Sequence, residues 1–422
     1  MRLLKLGIYH PTYLKQFYAA RPRLAAEAYA VQIAALLEDC YGSSDFWTGA
    51  LGPLGYETLD TVANAEPLQK SWAREHELSD VGRGGLSDAG SDWLFEITLA
   101  QVKAFRPEVV IVADYSTFTA DFLRQMKRVC PSVRLVLGWC GAPYGDPSVF
   151  REWDIVLSCV PEMVEHFNAE GHRSFHLDHA FEPRVLERLG DASPPSIDFS
   201  FIGSVLKQNQ FHLERERILL RLVEQTDIAI WSDIERASPR QRRALLMRRL
   251  AYDAYAAARA FGVPQSLLAA TPLLGRAARW ESRPSLSQYV DERIARRARA
   301  PLFGLEMFRQ LRASRVTLNT HIDISPASAS NMRLFEATGV GACLVTDWKP
   351  NLSKLFEPDA EVLTYRTPDE CVEKVRYILD HEGERRAVAA AGQRRTLRQH
   401  TFARRAERID EIVGEALLKG RR

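Results

Sequence analysis

The chain is poor in the features that mark several protein classes. Its 422 residues hold only six cysteines, Cys40, Cys130, Cys140, Cys159, Cys343 and Cys371, and no two form a Cys-x-x-Cys pair. Such scatter argues for reduced thiols and against a disulfide framework or zinc finger. No apolar run approaches the roughly 20 residues that a membrane-spanning helix needs. The first residues show no charged-then-apolar leader ending in small side chains. A cytoplasmic protein is therefore expected. Neither charge is in excess: 56 basic against 54 acidic side chains leave +2, which makes no case for nucleic acid. His172, His176 and His179 stand close to Asp178, but their spacing fits no closed zinc set, and no metal site is expected.

What is present is a core-forming composition, 46% hydrophobic and 26% charged, at a length that suggests two domains with an insertion. A strand over 3–9 runs into a polar loop at 10–13, helical spacing follows over 24–40, and a second strand over 56–62 exits through Asn64 to Pro67. The glycine-rich stretch 81–90 does not sit between a strand and a helix, so it reads as a loop rather than a phosphate cradle. A helix over 92–105, a strand over 109–113, a helix over 118–130 and strands over 134–139 and 154–158 complete the first half. This alternation is the pattern of a parallel sheet covered on both faces. Ligands on such sheets bind outside the carboxyl ends of the strands, which selects the loops starting at His10, Asn64, Asp114 and Cys140.

Gly190-Asp-Ala-Ser-Pro-Pro-Ser196 reads as a domain boundary, and a new strand–loop–helix unit opens at 197–204. Strands over 316–319, 342–346 and 361–364, then helices near 368–380, 384–391 and 402–418, continue a second parallel sheet. The expected organisation is an α/β protein of two Rossmann-like parallel-sheet domains facing across a cleft. Residues 1–190 form the first, residues 197–400 the second, and 401–422 a C-terminal helix that is a candidate to cross back. A helical insertion over about 238–300 is rich in arginine, from Arg240 to Arg299, with Leu245, Leu246, Leu250, Tyr252, Tyr255 and Phe261 interleaved. Basic amphipathic helices of this kind can lie on anionic lipid. A solvated insertion or an oligomer contact stays open beside that reading.

The segment from Asn331 to Asp347 reads as a short helix with a glycine stop, followed by a buried strand ending in Thr346-Asp347. Arg333 and Glu336 are three apart and share a face. The first can grip a phosphate oxygen with two prongs, and the second can accept hydrogen bonds from a ribose or sugar diol. An ordinary surface Arg/Glu pair is the alternative.

The C-terminal portion resembles the CgeB-like glycosyltransferases of the wider group 1 set. The resemblance rests on Phe303-Gly-Leu-Glu-Met-Phe308, Leu318-Asn319-Thr-His321-Ile-Asp323, Asn331-Met-Arg-Leu-Phe-Glu-Ala-Thr-Gly-Val-Gly341, Thr346-Asp347, Gly392-Gln393 and His400-Thr401-Phe402. The strand Phe199-Ser-Phe-Ile-Gly203-Ser204 is similar to the family's opening of the donor domain, and the stretch from Leu177 to Pro183 to its interdomain crossing. Ser44-Asp45-Phe-Trp47 and the segment from Asn64 to Trp72 extend the likeness more weakly into the N-terminal half.

This resemblance implies a GT-B fold and metal-independent sugar transfer from a nucleotide-sugar, a substrate rather than a cofactor, to a glycan, glycolipid or protein acceptor. A Glu-x7-Glu pair is common in related enzymes. Here Glu336 fits its second position, while Ser328 stands at the first. Gly203, Ser204, Lys207, Asn319, His321, Asn331, Arg333, Glu336, Thr346 and Asp347 are then the expected donor-binding residues. His10 and Asp45 are the candidates for a general base. His179, Trp139, Asn64, Glu66 and Asp114 are candidates to line the cleft. A sugar-nucleotide epimerase and a non-catalytic nucleotide-sugar binder are the alternatives.

Overall fold

The computed structural model describes residues 1–78, 92–191, 193–205, 212–234, 236, 238–269, 271, 274–280, 283–284, 289–321, 325 and 327–419. The glycine-rich stretch 81–90, Lys207 and Asp323 lie outside the described residues.

Twelve strands are described: β1 (Arg2–Gly7), β2 (Glu57–Val62), β3 (Val109–Val112), β4 (Leu135–Trp139), β5 (Ile155–Ser158), β6 (Ser174–His176), β7 (Ile197–Ile202), β8 (Ala229–Trp231), β9 (Ala298–Arg299), β10 (Ser314–Asn319), β11 (Cys343–Asp347) and β12 (Leu363–Tyr365). They form two six-stranded sheets, in the orders β2-β1-β3-β4-β5-β6 and β12-β11-β10-β7-β8-β9. The first sheet is parallel throughout, with Leu4 opposite Val110 and Leu6 opposite Val112. Its central strand β3 is a fully buried apolar run, Val109-Val-Ile-Val112, as expected where helices cover both faces. Val110, Val112, Val136 and Val156 meet Phe118, Phe122, Phe150 and Phe167 in one buried cluster.

The chain divides into two compact units, Met1–Ser200 with Leu302–Arg422, and Phe201–Pro301. In the first unit the chain crosses between the sheets twice at one place. The Phe181 N–H donates to the His400 carbonyl at 2.8 Å, and the Phe402 N–H donates to the Phe181 carbonyl at 3.1 Å. The C-terminal helix Phe402–Lys419 then lies against the N-terminal sheet's own helix Phe46–Leu51, where Phe402 touches Phe46 and Trp47. The hydroxyl of Tyr56 donates to Asp410 at 2.7 Å on the same face. In the second unit, helix Pro239–Ala260 opens with a reciprocal capping box between Ser238 and Gln241.

Two expected loops are helix starts. Residues 10–13 open the helix Pro11–Ala19, with His10 as its cap, and Glu66 begins the helix Glu66–Glu75. In both, proline falls at the first positions of the helix, where its missing N–H costs nothing and its fixed φ is already helical. All six cysteines are buried and unpaired. Among the described residues no helix is long and apolar enough to cross a membrane.

Candidate functional site

The carboxyl ends of β10, β11 and β12 are tied together by side chains whose hydrogen bonds all run inward. Asn319 Nδ2 donates to Thr346 Oγ1 at 2.9 Å, Asn331 Nδ2 donates to Asn319 Oδ1 at 2.7 Å, and the Tyr365 hydroxyl donates to the Asn319 carbonyl at 3.2 Å. Asn331 is thus fastened to the strand ends two residues before the helix Arg333–Gly339 begins. Its Oδ1 is buried and has no partner among the described residues.

One step further out, Asp347 Oδ1 accepts from the His321 N–H at 3.0 Å and stands 2.7 Å from His321 Nδ1. Burial alone would raise the Asp347 carboxyl. The charges of His321 and Lys349, with the His321 hydrogen bonds, overcome it and hold the group down at about 2. An ionised carboxylate can only accept, so Nδ1 carries a proton, and in the neutral form of the ring Nε2 keeps a lone pair. That Nε2 is buried and without a partner among the described residues. In that form the dyad offers an acceptor to a hydroxyl group.

The Arg333 and Glu336 pair forms as its spacing predicts. Arg333 Nη1 lies 2.9 Å from Glu336 Oε2, with side chains only 16% and 9% exposed, and also 3.1 Å from Met307 Sδ. This is no solvated surface pair. Burial raises the Glu336 carboxyl, and Arg333 partly offsets it. The charge of Glu336 also reaches Tyr41 of the N-terminal half, whose phenol is raised first by burial and then by that charge. Glu336 is therefore within electrostatic reach of Tyr41, in a loop of the other sheet.

The loops around Tyr41 present an aromatic wall. Tyr41 stacks on Tyr13 at 3.9 Å, Phe303 meets both rings edge-on, and His10 stacks on Phe303 at 6.2 Å. Gly304, next to Phe303, has φ +54°, and a Cβ there would press on the carboxylate and the carbonyl oxygen of Asp39. Only glycine lets the helix Gly304–Arg312, which carries Met307, start so close to the N-terminal half. His10 is exposed, and its Nδ1 accepts from the Thr12 N–H at 3.3 Å as the helix cap. With Nδ1 as the acceptor, Nε2 is the ring nitrogen left for any other contact.

The remaining expected residues are placed elsewhere or occupied. Asp45 is gripped by Arg184 at 2.9 and 3.3 Å, and Arg184 also holds Glu182. Asn64 clamps the Tyr9 backbone through both ends of its amide, Glu66 pairs with Lys70, and Asp114 accepts from Ser116 and the Thr117 N–H. The Asn64 and Asp114 bonds fix the loops after β2 and β3, and the Glu66–Lys70 pair is an exposed pair along its helix. Trp139 lies 5.1 Å from His179 and 6.1 Å from Trp47. His179 is lowered to about 4 by burial and by Arg405, so it is neutral at pH 7. In the second unit, the Gly203 N–H donates to the Trp231 carbonyl, and the Ser204 carbonyl accepts from Arg215 Nη1 at 2.7 Å.

Tyr41 and Met307 escaped the sequence reading of the site. Phe303 and Met307 do lie in a stretch that carries the family resemblance. Among the described residues no group of three or more His, Cys, Asp or Glu side chains is arranged to hold a metal ion.

Comparison with solved structures aligns almost the whole chain. Sucrose-phosphate synthase from Thermosynechococcus elongatus matches at TM-score 0.52 and 8% identity, over 99% of this chain and 100% of that one. A glycosyltransferase from Rickettsia africae matches at 0.52 and 8%, over 99% and 98%. Anabaena HepE, solved with UDP-glucose, matches at 0.53 and 9%, over 98% and 100%.

The fold is GT-B.

Residues 242–411 also match the family model described as glycosyl transferase-like, and with the fold this supports sugar transfer. No curated protein gives a significant match. The matched region contains Phe303, Asn319, His321, Asn331, Arg333, Glu336, Thr346 and Asp347, whereas His10, Tyr13 and Tyr41 lie outside it.

Proposed function

We propose that the protein is a glycosyltransferase that moves a sugar from a nucleotide-sugar to a glycan, glycolipid or protein acceptor without a divalent metal. The observation that carries this is the buried Arg333–Glu336 pair beside the Asn319–Asn331–Thr346 network, on the ligand side of the second sheet. The resemblance to CgeB-like glycosyltransferases supports the same reading and assigns Glu336 to the ribose.

As the glycosidic bond of the donor stretches, negative charge grows on the leaving diphosphate. A donor fixed where that charge develops contributes roughly 3–4 kcal/mol. Arg333 is held for this by Glu336 and Met307, so its guanidinium need not reorganise. It takes the part that a divalent ion plays in other transferases. Glu336 accepts from the ribose diol, His321 Nε2 from a sugar hydroxyl, and His10 Nε2–H donates to a phosphate or sugar oxygen. Gly203 and Ser204 are assigned to the same donor through the resemblance alone. Asp45, already bound by Arg184, is assigned a structural part rather than that of the base.

Calorimetry across UDP-, GDP-, ADP-, dTDP- and CMP-sugars, repeated with a chelator, tests the reading. Binding of at least one donor is expected, unchanged by chelation and abolished in Arg333→Ala. Absence of heat with every donor would sink it. Incubation with UDP-N-acetylglucosamine alone tests against epimerisation, since a transferase leaves the configuration at C2 intact.

A further inference from the structure

Helix Pro239–Ala260 turns one face inward: Ala251 is buried, and Leu245, Arg249, Tyr252, Tyr255 and Ala258 are half-buried. At about 100° per residue, the opposite ridge carries Arg243, Leu246, Leu250, Ala257 and, just past the helix end, Phe261, with Met247 beside it. Leu246, Met247 and Leu250 are 58%, 59% and 56% exposed, and Phe261 is 90% exposed. A merely solvated helix would carry its arginines along that ridge. Here Leu246, Leu250 and Phe261 stand along it, with Asp253 at its edge, and five of the thirteen exposed large hydrophobics found among the described residues fall between Leu246 and Leu267.

The charge around the ridge says what covers it. Residues 238–300 contain thirteen arginines against four acidic residues, a net +9. The whole chain carries +2, so all other residues together carry −7. Arg240, Arg242 and Arg243 crowd the first turns of the helix. The acids near it are already engaged, Asp253 by Arg283 at 2.7 Å and Glu292 by Arg242 at 3.0 Å. A second copy of the chain would bring +9 against +9 in a two-fold contact.

We infer that this ridge docks on an anionic lipid surface, with Leu246, Leu250 and Phe261 entering the headgroup layer and the arginines selecting acidic phospholipid. The inference stands apart from the proposed transfer, because its test needs neither donor nor acceptor.

The full chain is to be sedimented with phosphatidylcholine vesicles, with and without phosphatidylglycerol. Binding is expected only when phosphatidylglycerol is present, and is expected to fall as salt rises and shortens the screening length. The triple variant Leu246→Ser, Leu250→Ser, Phe261→Ser changes exposed side chains only and should keep the thermal unfolding profile while losing the vesicles. Arg243→Glu should weaken binding by at least about fivefold, the effect of one arginine near an anionic surface. Three results would overturn the inference: no anionic binding, binding indifferent to both variants, or a soluble dimer that the triple variant dissolves.

Discussion

Ser328 Oγ donates to Glu162 Oε1 at 2.8 Å, joining the loop after β10 to the first turn of the helix Pro161–Ala169 that follows β5. The bond links the carboxyl edges of the two sheets. Ser328 stands where the Glu-x7-Glu pattern would have its first acid, and a carboxylate from the other sheet reaches that point. If Glu162 fills the missing place, Glu162→Ala lowers kcat/KM more than Glu162→Gln, and Ser328→Ala least. A bond to a charged group is worth about 1.5–3 kcal/mol. Ser328→Ala is therefore also expected to enlarge the radius of gyration of the unliganded protein in solution scattering. Identical scattering and kinetics in all three variants would refute the link.

Arg333→Ala is expected to cut turnover by about 10²–10³ and to destabilise the fold, because it leaves Glu336 buried without its counter-charge. Glu336 adds a pH signature. Its folded carboxyl is raised above the ordinary 4.5, so the folded state holds a proton that the unfolded chain has released. Stability is therefore lost as pH rises from 4.5 through the raised value. Glu336→Gln removes that loss, and its stability relative to the parent protein should climb across the same window in urea unfolding. A constant difference at every pH would contradict the burial of the charge.

Both sheets were legible where strands are continuous apolar runs, as at Val109–Val112, or lie between a glycine stop and a polar end, as at Cys343–Asp347. The short edge strands Ser174–His176 and Ala298–Arg299 were not, because two or three residues carry no periodicity. The Arg333 and Glu336 pair was visible because it is local to one helical turn. Tyr41 beside Phe303, and Glu162 beside Ser328, are juxtaposed only by the chain's return between the sheets, and no spacing in the sequence encodes them.

Gly304→Ala should be costly for a reason particular to the site. A left-handed alanine costs about 1–2 kcal/mol, and here its Cβ would also press on the Asp39 carbonyl oxygen. The helix would have to back away, moving Met307 and loosening Arg333. A lower unfolding midpoint together with weaker nucleotide-sugar binding is expected. Gly383→Ala, in a helix with open space around the added carbon, is the matched control and should leave binding unchanged and the unfolding midpoint equal or higher. Equal behaviour of the two variants would show that the Asp39 contact does not constrain the helix.

His400 sets an acid limit at the interdomain crossing. Its Nε2 lies 2.9 Å from the Leu355 carbonyl and so donates, while Nδ1 accepts from Arg405 Nη2 at 2.9 Å. A second proton would have to enter Nδ1, directly against a guanidinium. Burial, with Arg405, lowers the group to about 4 although the Leu355 carbonyl pulls the other way. His179 and His212 are lowered to about 4 as well, first by burial. Between pH 6.5 and 4 the unfolded chain takes up protons that the folded one refuses, so stability is expected to fall as pH drops through that window. Each such proton contributes a slope of up to about 1.4 kcal/mol per pH unit. His400→Gln keeps a donor for Leu355 and cannot titrate. Urea unfolding from pH 7 to pH 4 should show a slope shallower by up to one proton in this variant, and an unchanged slope would mean that the His400 ring is not held neutral by Arg405.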